Sequence, residues 1–431
     1  TWSDADGRYR DPLENIQQTQ NKQPMYGGDA FWNTFWNFNP LLALISPDIL
    51  NNWVLTQLEL FDKTGWTNNG PTGLEHTGIM EVTHEIALMV GAYQKGIRKY
   101  DVNKLWEAVY HNATEEGRRI EGSGYAGQRN LNAYRKKGYV PIETGAACQT
   151  LDYAYTDFCT AQLAKALGKD KEYAYFIERS ENWRNQFNQE TKWQTPKDSA
   201  GNWIADYDIF SGYKWIEGNG WQYTWYVPHV VQGYINEAGE DLLRERLDSM
   251  FVTQMADNIP GAHDIQGRVG AYWHGNEPCH QILYFYNYLK QPWKCQEKVR
   301  YIMDTFYGNK PDALSGNDDC GQMSAWYIFN TMGFYPTAPS SNVYNLGSPG
   351  LAAVDMKMSN GKHLRMTTGN WSARNVFVKE VYLNGKKYDK SYITYNDIKD
   401  GADLHFVMSS RPNYKRGVAE RAVPPSVSEK R

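Results

Sequence analysis

Several features that mark other classes of protein are missing from this 431-residue sequence. Its formal net charge is only −4 and it has no basic block, which argues against a nucleic-acid partner. No apolar run reaches membrane length and no secretory leader is recognisable, so we expect no membrane span. The chain starts at Thr1 without a methionine, and we therefore expect a processed or truncated product.

Cysteines are few and irregularly spaced. There are five, an odd number, and they predict neither a disulfide framework nor a zinc site. The two-histidine helical spacing of zinc hydrolases is also missing, so zinc chemistry is not expected.

Aromatic residues, in contrast, are abundant. They make up 14% of the chain, with 16 tryptophans and 31 tyrosines. Such rings can line a sugar-binding pocket, although ordinary core packing must account for most of them. The length suffices for two or three domains with a substantial core.

Two adjacent acids, Asp318 and Asp319, stand between Gly316 and a Gly-Gln pair, and an apolar run follows. This order predicts a loop that delivers both carboxylates to the start of a helix near Gln322. On the dipeptide alone, helix capping is the favoured interpretation, because acids are stabilised at helix N-termini.

Three further segments combine aromatic rings with polar side chains. In residues 26–37, short polar side chains alternate with aromatics, which suits a pyranose site or a buried helix start. In residues 215–229, Glu217 lies among Trp and Tyr residues. These rings would exclude water from its carboxyl and so raise its pKa, as a general acid requires. The alternative interpretation is a Glu in the first turn of a helix, stabilised by the helix dipole. Residues 274–280 offer oxygen and imidazole groups for a hard cation or for sugar hydroxyls.

Hydrophobic periodicity predicts a helical region followed by strands. The expected helices span 41–61, 78–98, 150–167, 171–188, 240–252 and 293–307, with loops at 118–140 and 191–212. The expected strands span 352–358, 363–367, 376–383, 391–395 and 404–408. Asn384-Gly385 predicts a hairpin turn that needs positive φ.

The stretch GNDDCGQMSAWYIFNTMGFYP resembles the signature of glycoside hydrolase family 92, the calcium-dependent, inverting exo-α-mannosidases. Five blocks between about residues 26 and 415 share the resemblance, including TLDYAYTDFCTAQLAKALGK and the EGNGWQY segment. Several positions depart from the family pattern: Trp32-Asn33-Thr34-Phe35-Trp36 replaces Trp-Asp-Thr-Phe-Arg, Val230 replaces Asp, and Gly275 stands where α-1,2-specific members tend to have Glu.

The resemblance implies a mainly α fold. We expect an irregular segment at 1–25, an (α/α)6 helical toroid at 26–307, a small α+β or β-rich C-terminal module at 308–415 that carries the acid loop, and a flexible tail at 416–431. Family members carry an N-terminal β-sandwich domain before this region, which we expect on a separate chain or removed.

The resemblance also implies a reaction and a site. Glu217 is expected as general acid and Asp319, with Asp318, as general base in hydrolysis of terminal α-linked mannose from glycans. Ca²⁺ is the expected cofactor, and a secreted or periplasmic location is implied. The expected Ca²⁺ ligands are Asn276, Glu277 and Gln222, and the expected substrate contacts are Asp29, Trp32, Asn33, Trp36, Trp221, His274 and Glu277.

Two alternatives remain open at this stage. The chain could be a sugar-binding or assembly subunit without turnover, which would use the same aromatics. It could also be another helical-toroid glycosidase or a phosphorylase, since one fold hosts many chemistries.

Overall fold

The computed structural model describes residues 1–27, 31–68, 73–76, 84–262 and 265–428. Its α-helices, in chain order, are α1 Phe31–Thr34, α2 Phe38–Ile45, α3 Pro47–Thr64, α4 Glu85–Gln94, α5 Val102–Thr114, α6 Leu131–Lys137, α7 Cys148–Ala166, α8 Asp170–Arg179, α9 Gly220–Tyr223, α10 Val231–Ala238, α11 Glu240–Met250, α12 Phe285–Tyr288, α13 Pro292–Phe306, α14 Gln322–Thr331 and α15 Tyr395–Ile398.

The strands are short before residue 340 and longer after it. They are β1 Arg8–Arg10, β2 Ile16–Gln18, β3 Arg118–Ile120, β4 Gly124–Ala126, β5 Arg268–Val269, β6 Tyr272–Trp273, β7 Phe334–Tyr335, β8 Val343–Leu346, β9 Ala353–Lys357, β10 His363–Gly369, β11 Phe377–Leu383, β12 Lys386–Lys387, β13 Tyr392–Thr394 and β14 Ala402–Ser409. The prediction of a helix-rich chain with a small sheet-containing C-terminal region is confirmed.

The chain divides into two compact units. The first unit comprises Thr1–Phe35 and Pro47–Gly220, and the second comprises Trp36–Ser46 and Trp221–Arg431. Helix α7 is central to the first unit, because it packs against α4, α5 and α8 and nearly all of its residues are buried. Leu151, Ala154, Phe158 and Ala161 form one apolar face of this helix, whereas polar residues such as Asp157 are buried on its other sides.

In the second unit, the C-terminal sheet has the order β12-β11-β14-β10-β9. Strands β10 and β14 are parallel, with Leu364 opposite Ala402, and the other pairs are antiparallel. Alternate residues such as Met366, Leu404 and Phe406 are buried, as a sheet with one covered face requires. The Asn384-Gly385 turn has positive φ at both residues, as predicted.

The structure corrects several element predictions. The helix predicted at 41–61 is two helices broken at Ser46, because Pro47 has no N–H to continue the helix and starts α3. The loop predicted at 118–140 contains the β3–β4 hairpin and α6. The helix predicted at 171–188 tightens into a 3₁₀ turn after Arg179.

Two other element predictions need comment. Of the helix predicted at 78–98, the structure describes only the part from residue 84 onward, where α4 lies. The tail predicted to be flexible from 416 makes ordered contacts up to Val427: the Ser391 N–H donates to the Ala422 carbonyl, and the Val427 N–H donates to the His229 carbonyl.

Candidate active site

The acid loop of the second unit leads directly into α14. The Asp318 Oδ1 atom accepts from the Ser324 N–H at 2.9 Å and from the Ser324 hydroxyl at 2.8 Å. These bonds satisfy an otherwise unpaired amide in the first turn of the helix. Helix capping, the interpretation favoured by the two adjacent acids alone, is therefore confirmed for Asp318.

Asp319 lies on unusual backbone. Its φ is 49°, and the next two residues, Cys320 and Gly321, have φ of 56° and 95°. Non-glycine side chains rarely adopt this left-handed region, and such residues concentrate at functional sites. The Asp319 carbonyl accepts from the Gln322 N–H at 3.1 Å, so the tight turn is joined to the first residue of α14.

Glu217 belongs to the first unit and is half-buried there. Its φ is 47°, again left-handed, and it precedes α9 by three residues rather than lying in its first turn. Its loop closes on itself: the Asn219 side chain donates to the Phe210 carbonyl at 3.0 Å, and the Gly220 N–H donates to the Ile209 carbonyl at 3.1 Å.

The structure explains why a glycine, Gly220, follows Asn219 in the loop that carries Glu217. A Cβ at this position would lie 2.3 Å from the Tyr207 hydroxyl oxygen. That hydroxyl also accepts from the buried Trp215 indole at 2.9 Å. Glycine is therefore required by the close approach of backbone and ring, and the loop that carries Glu217 is tightly packed.

His274, in the second unit, is fully buried. Its Nδ1 lies 2.9 Å from the Tyr272 hydroxyl and its Nε2 lies 2.7 Å from the Tyr307 hydroxyl. Burial, and then the neighbouring His280, hold the pKa of His274 well below its usual range, so the ring is neutral at pH 7. Because tyrosines occupy both ring nitrogens, His274 is better suited to orienting other groups than to binding sugar hydroxyls.

The three predicted Ca²⁺ ligands are buried residues of the second unit with oxygen-bearing side chains: Asn276, Glu277 and Gln222. The Gln222 amide nitrogen donates to the Ala271 carbonyl at 2.5 Å, which fixes the orientation of the side chain. One carboxylate and two amides suit a hard cation that takes oxygen ligands. Within the described ranges, no cluster of three or more His, Cys, Asp and Glu side chains is arranged to hold a metal.

The predicted aromatic contacts are divided between the units. Trp32 is buried in the first unit and tilted against His84 at 5.2 Å between ring centroids, while Asn33 is half-buried. Trp36 is buried in the second unit against Tyr226 at 5.0 Å, and Trp221 is 7% exposed there. Asp29 lies outside the described residues.

Gly275 is held by close packing rather than by backbone conformation. A Cβ there would lie 3.0 Å from the Ser315 carbonyl oxygen and 3.0 Å from the Gln266 Cβ. A glutamate at this position would therefore displace the segment that leads into the acid loop.

Sequence reasoning missed the polar residues that hold the acid loop from a distance. The Gln322 Oε1 atom accepts from the Asn37 N–H at 3.2 Å, and its Nε2 lies 3.1 Å from the His280 Nδ1. Tyr307 was not identified at all, because a tyrosine after an ordinary amphipathic helix carries no local signal.

No helix in the part of the chain that the structure describes is both long and apolar enough to cross a membrane. Comparison with known families identifies the class of protein to which this fold belongs. A family model described as the glycosyl hydrolase family 92 catalytic domain matches residues 1–410. The chain belongs to this family.

Several relatives resemble the chain over most of its length. A family GH92 α-mannosidase from Bacteroides thetaiotaomicron, solved in complex with mannoimidazole, is 45% identical with a TM-score of 0.93; the match covers 100% of this chain and 57% of that one. The family GH92 inverting mannosidase from B. thetaiotaomicron VPI-5482 is 31% identical with a TM-score of 0.87, over 97% of this chain and 57% of that one.

A curated relative, an uncharacterized secreted glycosidase of Arthroderma benhamiae, is 25% identical over 453 residues, which cover 93% of this chain and 56% of the relative. The chain thus spans a little over half the length of these relatives.

Proposed function

We propose that this chain provides the catalytic region of a glycoside hydrolase, an exo-α-mannosidase that removes terminal α-linked mannose from glycans with inversion. Family membership over residues 1–410 carries this proposal. Two similar structures are described as α-mannosidases or mannosidases, one of them inverting, which supports the substrate and the stereochemistry. An (α/α)6 arrangement of the helices is part of the proposal.

Inversion requires an acid on the leaving-group side and a base on the opposite face of the sugar. In the proposed step, the Glu217 carboxyl gives its proton to the glycosidic oxygen as the bond from C1 to that oxygen breaks. Asp319 takes a proton from the water whose oxygen bonds to C1. The products are free mannose, with its anomeric configuration inverted, and the shortened glycan.

Asp319 is preferred to Asp318 as the base because Asp318 is already engaged with the helix. One oxygen of Asp318 accepts two bonds from Ser324 in the first turn of α14. Asp318 then assists by fixing the turn, while Asp319 lies on the left-handed backbone that is concentrated at functional sites.

Ca²⁺ is part of the proposal, because the buried oxygen donors Asn276, Glu277 and Gln222 suit it. When bound, the ion would supply positive charge and ordered ligand positions for sugar hydroxyls. Trp32, Asn33, Trp36, Trp221 and Asp29 remain proposed sugar contacts. Gly275 stands where the family pattern associates glutamate with α-1,2 preference, so it argues against that preference, and its surroundings are tightly packed.

A secreted or periplasmic location is proposed, in keeping with the secreted fungal relative. An N-terminal β-sandwich domain is proposed as a further component of the active enzyme, in keeping with the partial coverage of the relatives.

The test is mannose release from α-1,2-, α-1,3- and α-1,6-mannobiose, with Ca²⁺ and then with EDTA. We expect Ca²⁺-dependent release, with α-1,2-mannobiose not the preferred substrate. Release that requires added phosphate would instead identify a phosphorylase. Mannoside binding without release, unchanged when the N-terminal domain is added in trans, would identify a binding subunit.

A further inference from the structure

A line of polar side chains in the second unit ends on the backbone of α14, and of its members Tyr272 and His274 are buried while Tyr307 is half-buried. The Tyr272 hydroxyl lies 2.9 Å from His274 Nδ1, and His274 Nε2 lies 2.7 Å from the Tyr307 hydroxyl. The Tyr307 hydroxyl in turn donates to the Met323 carbonyl at 3.2 Å. Buried polar groups in a connected and satisfied network restrict a structure to one arrangement.

The direction of these bonds follows from their last member. A carbonyl oxygen can only accept, so Tyr307 uses its single proton toward Met323. Its oxygen must then accept the proton of His274 Nε2, which leaves Nδ1 to accept the Tyr272 proton. A neutral imidazole has one donor and one acceptor nitrogen, so it can make both bonds in this one tautomer.

Ring contacts reinforce the hydrogen bonds. Tyr307 stacks on Trp326 with centroids 5.6 Å apart and on Tyr327 at 4.9 Å. The His274 ring meets the Trp326 ring edge-on at 4.4 Å. Trp326 and Tyr327 lie in the first two turns of α14. These ring contacts therefore hold the start of the helix from the side, in addition to the hydrogen bonds at its N-terminus.

The start of α14 is also the anchor of the acid loop. The Met323 N–H donates to the Asp318 carbonyl at 3.1 Å, and the Gln322 N–H donates to the Asp319 carbonyl at 3.1 Å. Between these anchors the chain has three successive residues with positive φ. Such a conformation persists only where the surroundings hold it, and Met323 connects it to Tyr307.

We propose that Tyr307, oriented by His274 and Tyr272, is a positioning residue that fixes the first turn of α14 and thereby the Asp318–Asp319 loop. As far as turnover is concerned, this inference rests on the proposed function. The positioning itself can be tested without any activity.

The first test compares amide hydrogen exchange in Tyr307→Phe and Tyr284→Phe. Tyr284 is a matched control, because it is a fully buried tyrosine whose hydroxyl bonds to Asn330 near the other end of α14. We expect faster exchange in peptides spanning residues 316–327 for Tyr307→Phe only. Unchanged exchange there, or equal increases in both variants, would overturn the proposal.

Steady-state kinetics on a mannobiose that the wild-type chain cleaves gives the second readout. Losing one net hydrogen bond that positions the base should lower kcat, counted per folded molecule, about tenfold with KM nearly unchanged. If the wild type releases no mannose even with the N-terminal domain added in trans, the proposed function fails while the exchange result still decides the positioning role.

A second variant provides a test of the proposal in case the first variant does not fold. If Tyr307→Phe does not fold, Tyr272→Phe breaks the line one step earlier and leaves the Tyr307 ring in place. It should speed exchange in the same peptides by a smaller factor. No change in those peptides would contradict the proposed line of bonds.

Discussion

The two acid-bearing segments share a local conformation but differ in what supports it. Glu217 and Asp319 both have left-handed backbone, with φ of 47° and 49°. The Glu217 loop of the first unit is held by bonds to backbone carbonyls and by a glycine packed on Tyr207. The Asp319 loop of the second unit is anchored to a ten-residue helix that side chains from distant segments hold in place.

The difference indicates two ways of keeping a carboxylate in a costly conformation. The Glu217 loop depends chiefly on its own glycine and on bonds within residues 207–220, together with one bond from the Ala147 N–H to the Lys214 carbonyl. A loop anchored on a helix depends on residues far along the chain. Substitutions should therefore distinguish the chemical role of each acid from the role of the contacts that hold its segment in place.

The largest effect is expected for Asp319→Asn. Removing the proposed base should lower kcat by roughly 10²- to 10⁴-fold on every mannoside, because activation of water is needed whatever the leaving group. Initial rates on an alkyl mannoside and on an aryl mannoside with a good leaving group measure this. The exposed Asp312 gives the control, Asp312→Asn, which should retain wild-type rates.

Glu217→Gln should affect substrates selectively, according to their leaving groups. Turnover of the alkyl mannoside should fall by about 10²-fold or more, while the aryl mannoside should lose far less, because a good leaving group needs little protonation. Exposed Glu178 on α8 provides the control, Glu178→Gln. Equal losses on both substrates would remove Glu217 from the acid role.

Gly321→Ala tests the support of the Asp319 loop. A Cβ there would meet the Phe38 ring at 2.9 Å, and φ is +95°. The control Gly201→Ala has nearly the same φ, +93°, but its nearest atom is 3.7 Å away. Both should suffer the left-handed penalty, and Gly321→Ala should lose about 1–3 kcal/mol more in free energy of unfolding from the clash. Equal losses in urea denaturation would show that the packing is not tight.

The smallest effect is expected for Asp318→Ala. Losing the cap of α14 should cost about 1 kcal/mol of stability, as should Asp101→Ala, which removes the carboxylate that caps α5 through Asn103 and Lys104. Thermal unfolding measures both. Turnover of Asp318→Ala should fall less than that of Asp319→Asn, and the reverse order would exchange the two roles.

Much of the fold could be predicted because its signals are local. The start of α14 near Gln322 follows from the glycine and acids before an apolar run, and the Asn384-Gly385 turn follows from residues that tolerate positive φ. The break at Ser46-Pro47 had a local signal, the proline, but the apolar periodicity on both sides of it led to the prediction of one continuous helix. The β3–β4 hairpin was missed because its three-residue strands are too short to show alternation.

The sequence by itself determined the family, the change from a helical region to strands, and the two carboxylate-bearing turns, because these depend on residues a few positions apart. Only the tertiary structure decided that His274 is enclosed by two tyrosines and that Tyr307 reaches the backbone of α14. Hydrogen-bond partners distant in sequence are selected by packing, and a tyrosine has the same local pattern whether its hydroxyl holds a catalytic loop or its ring only fills the core.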